Sequence, residues 1–374
     1  GHLPRVRARL GRVHVVSHTI EPAELLSLRL RSLLLADRMR RRPGEVVEWF
    51  GAMQAQDLSS AEWSFGVRSP GLTQAEVHRA TVDREILRTW PMRGTVHFVP
   101  PRDARWMLQV TAARALAGQA RRRANLGLTA ATVEMAVDVL GEALRGGGCL
   151  TRGECVQLLV DAGVHTAPEH GYHLLLYASQ IGVTCMGPQQ GKEQTFVLLD
   201  EWAPDQRELD RDQALAELAL RFVRSHGPVT RHDLARWTGL TVGDARRGLD
   251  LAEDHLVRVD CGGITMWMAA AQLEEPTAGP SGVLLLSGFD EYMLGYKDRD
   301  AMLSADEFER VVPGRNGVFR PTVVVDGRVA GTWSRALRTS RVDITVTPFR
   351  DLTTAQLDEV GRAAAQYGEY LGLT

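Results

Sequence analysis

Two glutamines two residues apart, in the run Met53-Gln54-Ala55-Gln56-Asp57, are the side chains whose spacing invites chemistry. Residues two apart on a helix point roughly 200° away from each other, whereas in an extended segment they share one side and the middle residue turns the other way. A single site built on both amides therefore requires Gln54 to Gln56 to be extended, with Ala55 facing the protein. An amide is neutral at every relevant pH and cannot act as a general base in the way a carboxylate can. It can hold a water by hydrogen bonds and turn a carbonyl dipole toward a developing positive charge. Help of that size suits a bond already weakened in the substrate. A purine alkylated at N7 is such a substrate: its ring is cationic, its N-glycosidic bond is labile, and the catalyst need only place water and stabilise the sugar cation.

A bare Gln-x-Gln is common, so the elements that would position it matter. Val46, Val47, Trp49, Phe50 and Met53 recur at helical spacing after Pro43-Gly44-Glu45, which predicts a helix starting near Pro43 that delivers the glutamines. Thr95-Val-His-Phe-Val99 reads as a strand ended by Pro100-Pro101. His97 in that strand and Asp57 beside Gln56 are the candidates to support the amides from behind. Upstream, leucines 25, 26, 28, 30, 33, 34 and 35 read as a core helix with a basic exit at Arg38, Arg40, Arg41 and Arg42.

The chain then repeats a grammar of helices followed by a hairpin. Leu72-Thr73, Leu150-Thr151 and Val229-Thr230 lie 78 and 79 residues apart, and each is followed by a carboxylate, Glu76, Glu154 or Asp233. Each is a capping box that opens a helix. Val183 to Met186 with Thr195 to Leu199, and Leu256 to Val259 with Ile264 to Met268, read as wing hairpins. Beyond residue 276 the texture turns to alternating strands, with Asp326-Gly327 as a type I′ turn, and a closing helix over Thr353 to Tyr370. The fold class expected is α+β: winged helices over 17–100, 101–205 and 206–275, followed by a β-rich C-terminal module over 276–374. Phe289 to Arg299 crowds charges around aromatic anchors and reads as an ion-paired turn that docks this module.

Gln54-Ala55-Gln56, together with the runs Arg88 to Val99, Gly288 to Arg299 and Gly317 to Arg328, resembles the AlkZ-type family of winged-helix DNA glycosylases over nearly the whole chain. The resemblance implies tandem winged helices, a Gln-hydrophobic-Gln motif in which Gln54 and Gln56 are catalytic, and removal of N7-alkylated purines, including those in interstrand crosslinks. A related branch, typified by YcaQ, has Asp where this sequence has Gln56. By that criterion the chain sides with the AlkZ branch, with Ala55 the smallest residue able to fill the hydrophobic slot.

Composition bounds the rest. The chain of 374 residues is 44% hydrophobic and 24% charged, an ordinary globular balance, and its net charge of −2 means that a DNA surface must arise by segregating arginines. Arg38 to Arg42 and Arg121-Arg122-Arg123 are the candidate clusters, and the loop Pro313-Gly-Arg-Asn-Gly317 offers Arg315 and Asn316 as a probe toward a groove. The four cysteines show no Cys-x-x-Cys spacing, and His165, His170 and His173 lack partners at ligand spacing, so no metal or other cofactor is expected. Arg29 and Arg31 interrupt the leucine-rich run, which excludes a membrane span there. Gly187 to Glu193 is one residue short of a phosphate loop and lacks its Ser or Thr. Lysine is confined to Lys192 and Lys297, poor candidates for the amine nucleophile that strand-nicking glycosylases use. The expected partner is double-stranded alkylated or crosslinked DNA, bound by a cytoplasmic, bacterial monomer. The alternative is a non-catalytic winged-helix DNA-binding regulator or DNA-structure binder; a nuclease is disfavoured by the missing metal ligands.

Overall fold

The computed structural model describes residues 18–36, 38–164, 167–273 and 279–373. Its strands are β1 (His18–Thr19), β2 (Met53–Gln54), β3 (Leu87–Met92), β4 (Thr95–Val99), β5 (Leu150–Thr151), β6 (Thr184–Met186), β7 (Thr195–Leu198), β8 (Leu256–Cys261), β9 (Ile264–Ala269), β10 (Val283–Leu286), β11 (Thr322–Val325), β12 (Arg328–Leu337) and β13 (Val342–Pro348). Helices precede the hairpins β3–β4, β6–β7 and β8–β9, and the whole is an α+β fold.

The three capping boxes form as the spacing demands. Thr73, Thr151 and Thr230 each accept from the backbone of the carboxylate three residues on, and Glu76, Glu154 and Asp233 reach back to the threonine N–H. They open the helices Gln74–Val82, Arg152–Asp161 and Arg231–Thr238. Two orphan donors are thereby satisfied at each start.

Long-range pairing adds what periodicity could not. The first two hairpins fuse through Arg88 opposite Met186 into one six-stranded sheet, ordered β2-β4-β3-β6-β7-β5. The helix Pro22–Ser32, shorter than the leucine run, packs on the third unit. β1 runs parallel to β8, Ser32 Oγ donates to the Gly227 carbonyl at 2.7 Å, and Leu25 and Leu28 bury against Val259 and Met268. Strand β3 is buried at every position and carries Pro91, so it has no alternating pattern to betray it.

The C-terminal sheet runs β10-β11-β12-β13, all antiparallel, with Asp326 and Gly327 at φ 48° and 75° in the tight turn between β11 and β12. The closing helix Thr354–Leu371 clamps the helix Leu58–Arg68, which starts just after Gln56. Trp63 lies edge-on to Tyr367 and Tyr370, its indole donates to the Leu285 carbonyl at 2.7 Å, and the Tyr370 hydroxyl donates to the Glu62 carbonyl at 2.8 Å. One continuous core thus runs beneath the glutamine segment and the C-terminal module.

Candidate active site

The helix Pro43–Phe50 ends at Gly51, whose φ of 77° lets the chain reverse into β2. Strand β2 pairs with β4, placing Met53 opposite Phe98 and Gln54 opposite His97, and the Ala55 N–H extends the ladder to the Val96 carbonyl. The segment is extended, as a shared side for the two amides requires. Ala55 is buried, Gln56 is exposed and Gln54 is partly exposed.

Gln56 does not dangle. Its Oε1 accepts from the Val96 N–H at 3.1 Å, so the side chain caps the β4 edge and its NH2 end is turned elsewhere. Gln54 is held from behind through its backbone, whose N–H donates to Glu291 Oε1 at 3.0 Å. Glu291 Oε2 accepts from the Trp237 indole at 3.0 Å and meets His226 Nε2 at 3.2 Å. Burial pushes the Glu291 carboxyl up, but the His226 contact and the Gln54 and Trp237 donors outweigh it and hold it down at about 2. A carboxylate so committed is a clamp and not a base. Its neighbour Asp290 is fully buried and takes both arms of Arg68 at 2.8 Å, tying the C-terminal module to the helix Leu58–Arg68. The charged turn that the sequence marks as a docking element does dock, and it also reaches the backbone of Gln54.

His97 is fully buried on β4, and Nδ1 donates to the Thr95 carbonyl at 2.9 Å. Burial, reinforced by Arg93, lowers its pKa to about 4, so near neutral pH the ring is uncharged with its lone pair on Nε2. Gln54, His97 and Thr89 are successive register partners across β2, β4 and β3 and share one face of the sheet. Each keeps a buried polar atom without a hydrogen-bond partner among the described residues: Gln54 Oε1, His97 Nε2 and Thr89 Oγ1. Asp57 is exposed and caps the helix Leu58–Arg68 through the Ser60 N–H at 2.8 Å. Burial raises its pKa, but Ser60, Ser59 and Arg335 bring it below the ordinary value.

The arginines named from the sequence lie apart. Arg38 bonds the Val67 carbonyl and Gln366, Arg40 pairs with Glu76, and Arg42 joins Glu45 in a cap. Arg41 is half-buried, with its guanidinium on the Met39 carbonyl. Arg121 and Arg122 are exposed on the helix Ala113–Asn125, and Arg123 lies over the Tyr177 ring at 4.8 Å. Arg315 and Asn316 sit on an exposed loop where Arg315 has φ 50° and Asn316 Oδ1 accepts from the Val318 N–H. Sequence reasoning missed Arg93, Arg114 and Arg236, which share a pocket although they come from three distant stretches. Only Arg93 carried a local signal, its place beside Gly94 in the β3–β4 turn. His165 lies outside the described residues. Among the described residues no group of three His, Cys, Asp or Glu side chains could hold a metal, and no helix is long and apolar enough to cross a membrane.

Comparison with known proteins decides what this geometry belongs to. The family model described as DNA glycosylase AlkZ-like matches residues 47–370. The chain belongs to the AlkZ-like DNA glycosylase family. It is 28% identical over 364 residues to an interstrand DNA cross-link repair glycosylase of Streptomyces sahachiroi, covering 94% of this chain and 96% of that protein. The solved structure of Streptomyces sahachiroi DNA glycosylase AlkZ superposes with a TM-score of 0.80 at 27% identity, over 95% of this chain and 98% of that one. Membership makes the chain a DNA glycosylase of the repair type, in keeping with the resemblance its motifs carried.

Proposed function

We propose that this glycosylase hydrolyses the N-glycosidic bond of N7-alkylated purines in double-stranded DNA, interstrand crosslinks among them, and that Gln54 and Gln56 carry the reaction. The observation behind this reading is the extended Gln54-Ala55-Gln56 segment, in which Gln56 is exposed and Gln54 partly exposed while Ala55 is buried and Gln56 is fixed by the Val96 N–H. Held by its oxygen, Gln56 offers N–H donors to the oxygen of a water. Gln54 Oε1 has no donor of its own and reaches the same water by a turn about its last side-chain bond. One donor and one acceptor then orient the attack on C1′, and the carbonyl dipole of Gln54 eases the sugar cation. The N-glycosidic electron pair leaves with the purine, which the alkyl charge neutralises, and the water proton passes to solvent. Glu291, bound on both oxygens, and Asp57, spent on its cap, are not free to act as bases. A base tied to the opposite strand cannot rotate freely from the stack, so a crosslink substrate fits an open site.

With Lys192 between β6 and β7 and Lys297 lining a pocket with Asp233 and Asp298, neither is offered as an amine nucleophile, and base removal without strand nicking completes the proposal, with the protein acting as a cytoplasmic monomer. The test is release of free N7-methylguanine from duplex DNA. Gln54→Ala or Gln56→Ala should lower single-turnover excision by roughly one to three orders of magnitude with DNA affinity nearly unchanged. A correctly folded double variant that excises at the parent rate would overturn the assignment.

A further inference from the structure

Many arginines of this chain are held in ion pairs, Arg40 with Glu76, Arg102 with Glu48, Arg211 with Asp244, Arg221 with Asp103 and Arg247 with Asp212, and others, such as Arg29 and Arg224, by backbone carbonyls. One pocket draws three arginines together instead. Arg93, Arg114 and Arg236 line it together with Thr111 and small or apolar residues, and no carboxylate is among its walls. The guanidiniums of Arg93 and Arg114 are steadied by backbone carbonyls, those of Arg236 and Gly239, both at 3.3 Å. Carbonyl anchors fix the arms without cancelling their charge. Burial lowers the pKa of Arg93, the Glu291 carboxylate raises it, and Arg236 lowers it. Arg93 has Glu291 acting on it, whereas Arg114 and Arg236 bring exposed cations to the same pocket, where an anion would be favoured.

The position of the pocket identifies the anion. Arg93 stands three residues before Val96, whose N–H holds Gln56, and three residues of chain span at most about 10 Å. Arg93 also acts on His97, the register partner of Gln54, so the pocket adjoins the glutamine segment. Fork-shaped guanidiniums suit a phosphate's oxygens. Resting on the glycosylase reading above, we propose that Arg93, Arg114 and Arg236 form a subsite for one backbone phosphodiester beside the target nucleotide, setting its C1′ against Gln54 and Gln56.

The experiment places a single uncharged methylphosphonate at each backbone position in turn around an N7-methylguanine in duplex DNA. Binding is read by anisotropy and excision in single turnover. Arg114 and Arg236 are exposed, so Arg114→Ala and Arg236→Ala fold as the parent does. In the parent, neutralising one phosphate within two nucleotides of the lesion should weaken binding about tenfold, the effect of one charge-assisted contact. In Arg236→Ala, and in the Arg114→Ala, Arg236→Ala double variant, the same neutralisation should cost less than twofold. Millimolar inorganic phosphate should not compete, since the duplex brings its phosphate in the grip of its other contacts. A uniform scan, an equal loss in parent and variants, or full competition by free phosphate would overturn the subsite. Gln54→Ala keeps the two readings apart: normal excision by that variant defeats the catalytic assignment, whereas a lost excision with a flat scan defeats only the phosphate subsite.

Discussion

Lowering the pH from 7 toward 4 should destabilise this protein through His97. In the folded chain burial and Arg93 keep the ring neutral down to about pH 4, whereas an imidazole in the unfolded chain takes up its proton near pH 6.5. Between those values the unfolded state binds a proton that the folded state refuses, so stability falls as the pH falls through that window. Each pH unit is worth about 1.4 kcal/mol, which gives about 3 kcal/mol over the full window. That is a substantial share of the roughly 5–15 kcal/mol that holds a typical domain folded. Glu291 acts lower down: with its carboxyl held at about 2, its contribution is complete above its ordinary value of 4.5 and is lost as the pH falls toward 2. The assay is urea unfolding at closely spaced pH values for the parent and for His97→Phe, which keeps a ring in the slot and removes the titrating nitrogens. The parent should lose about 3 kcal/mol between pH 6.5 and 4 that the variant does not lose. Parallel profiles for the two proteins would refute the reasoning.

Other substitutions probe single contacts. Thr89→Val removes a buried hydroxyl that has no partner, so its stability by urea unfolding should equal or exceed the parent's; a loss above about 1 kcal/mol would mean that the hydroxyl is bonded. Asp290→Ala strands the buried Arg68 guanidinium and should cost about 3–5 kcal/mol, visible as a large fall in thermal midpoint. Gln56→Asp should still release N7-methylguanine, because a carboxylate there can act as a base and screen the sugar cation; complete loss of release would count against that role. Replacing Arg236 should also flatten the salt dependence of duplex binding by nearly one unit of slope, about 0.9 per phosphate contact, and an unchanged slope would place Arg236 off the DNA.

What the sequence determined by itself is what bonds close by along the chain. The boxes at Thr73, Thr151 and Thr230 join residues three apart, and Asp326-Gly327 needs only its own backbone freedom. The glutamine pair is a similar case: two side chains that must share a side demand an extended backbone, and β2 with its Ala55 continuation supplies it. Tertiary structure alone decided which faces meet. The leucines of Pro22–Ser32 declare an apolar face but not its partner, and burial against β8 and β9 took that helix to the third unit. Glu291 reaches the Gln54 N–H across 237 residues of sequence, and Arg93, Arg114 and Arg236 converge only because the β3–β4 turn packs against the flank of the helix carrying Arg114 and the end of the helix carrying Arg236. Hydrophobic burial is non-directional and carries no address in the local pattern. Contacts that depend on it, the clamp behind Gln54 and the cluster of arginines included, become visible only when the layers are assembled.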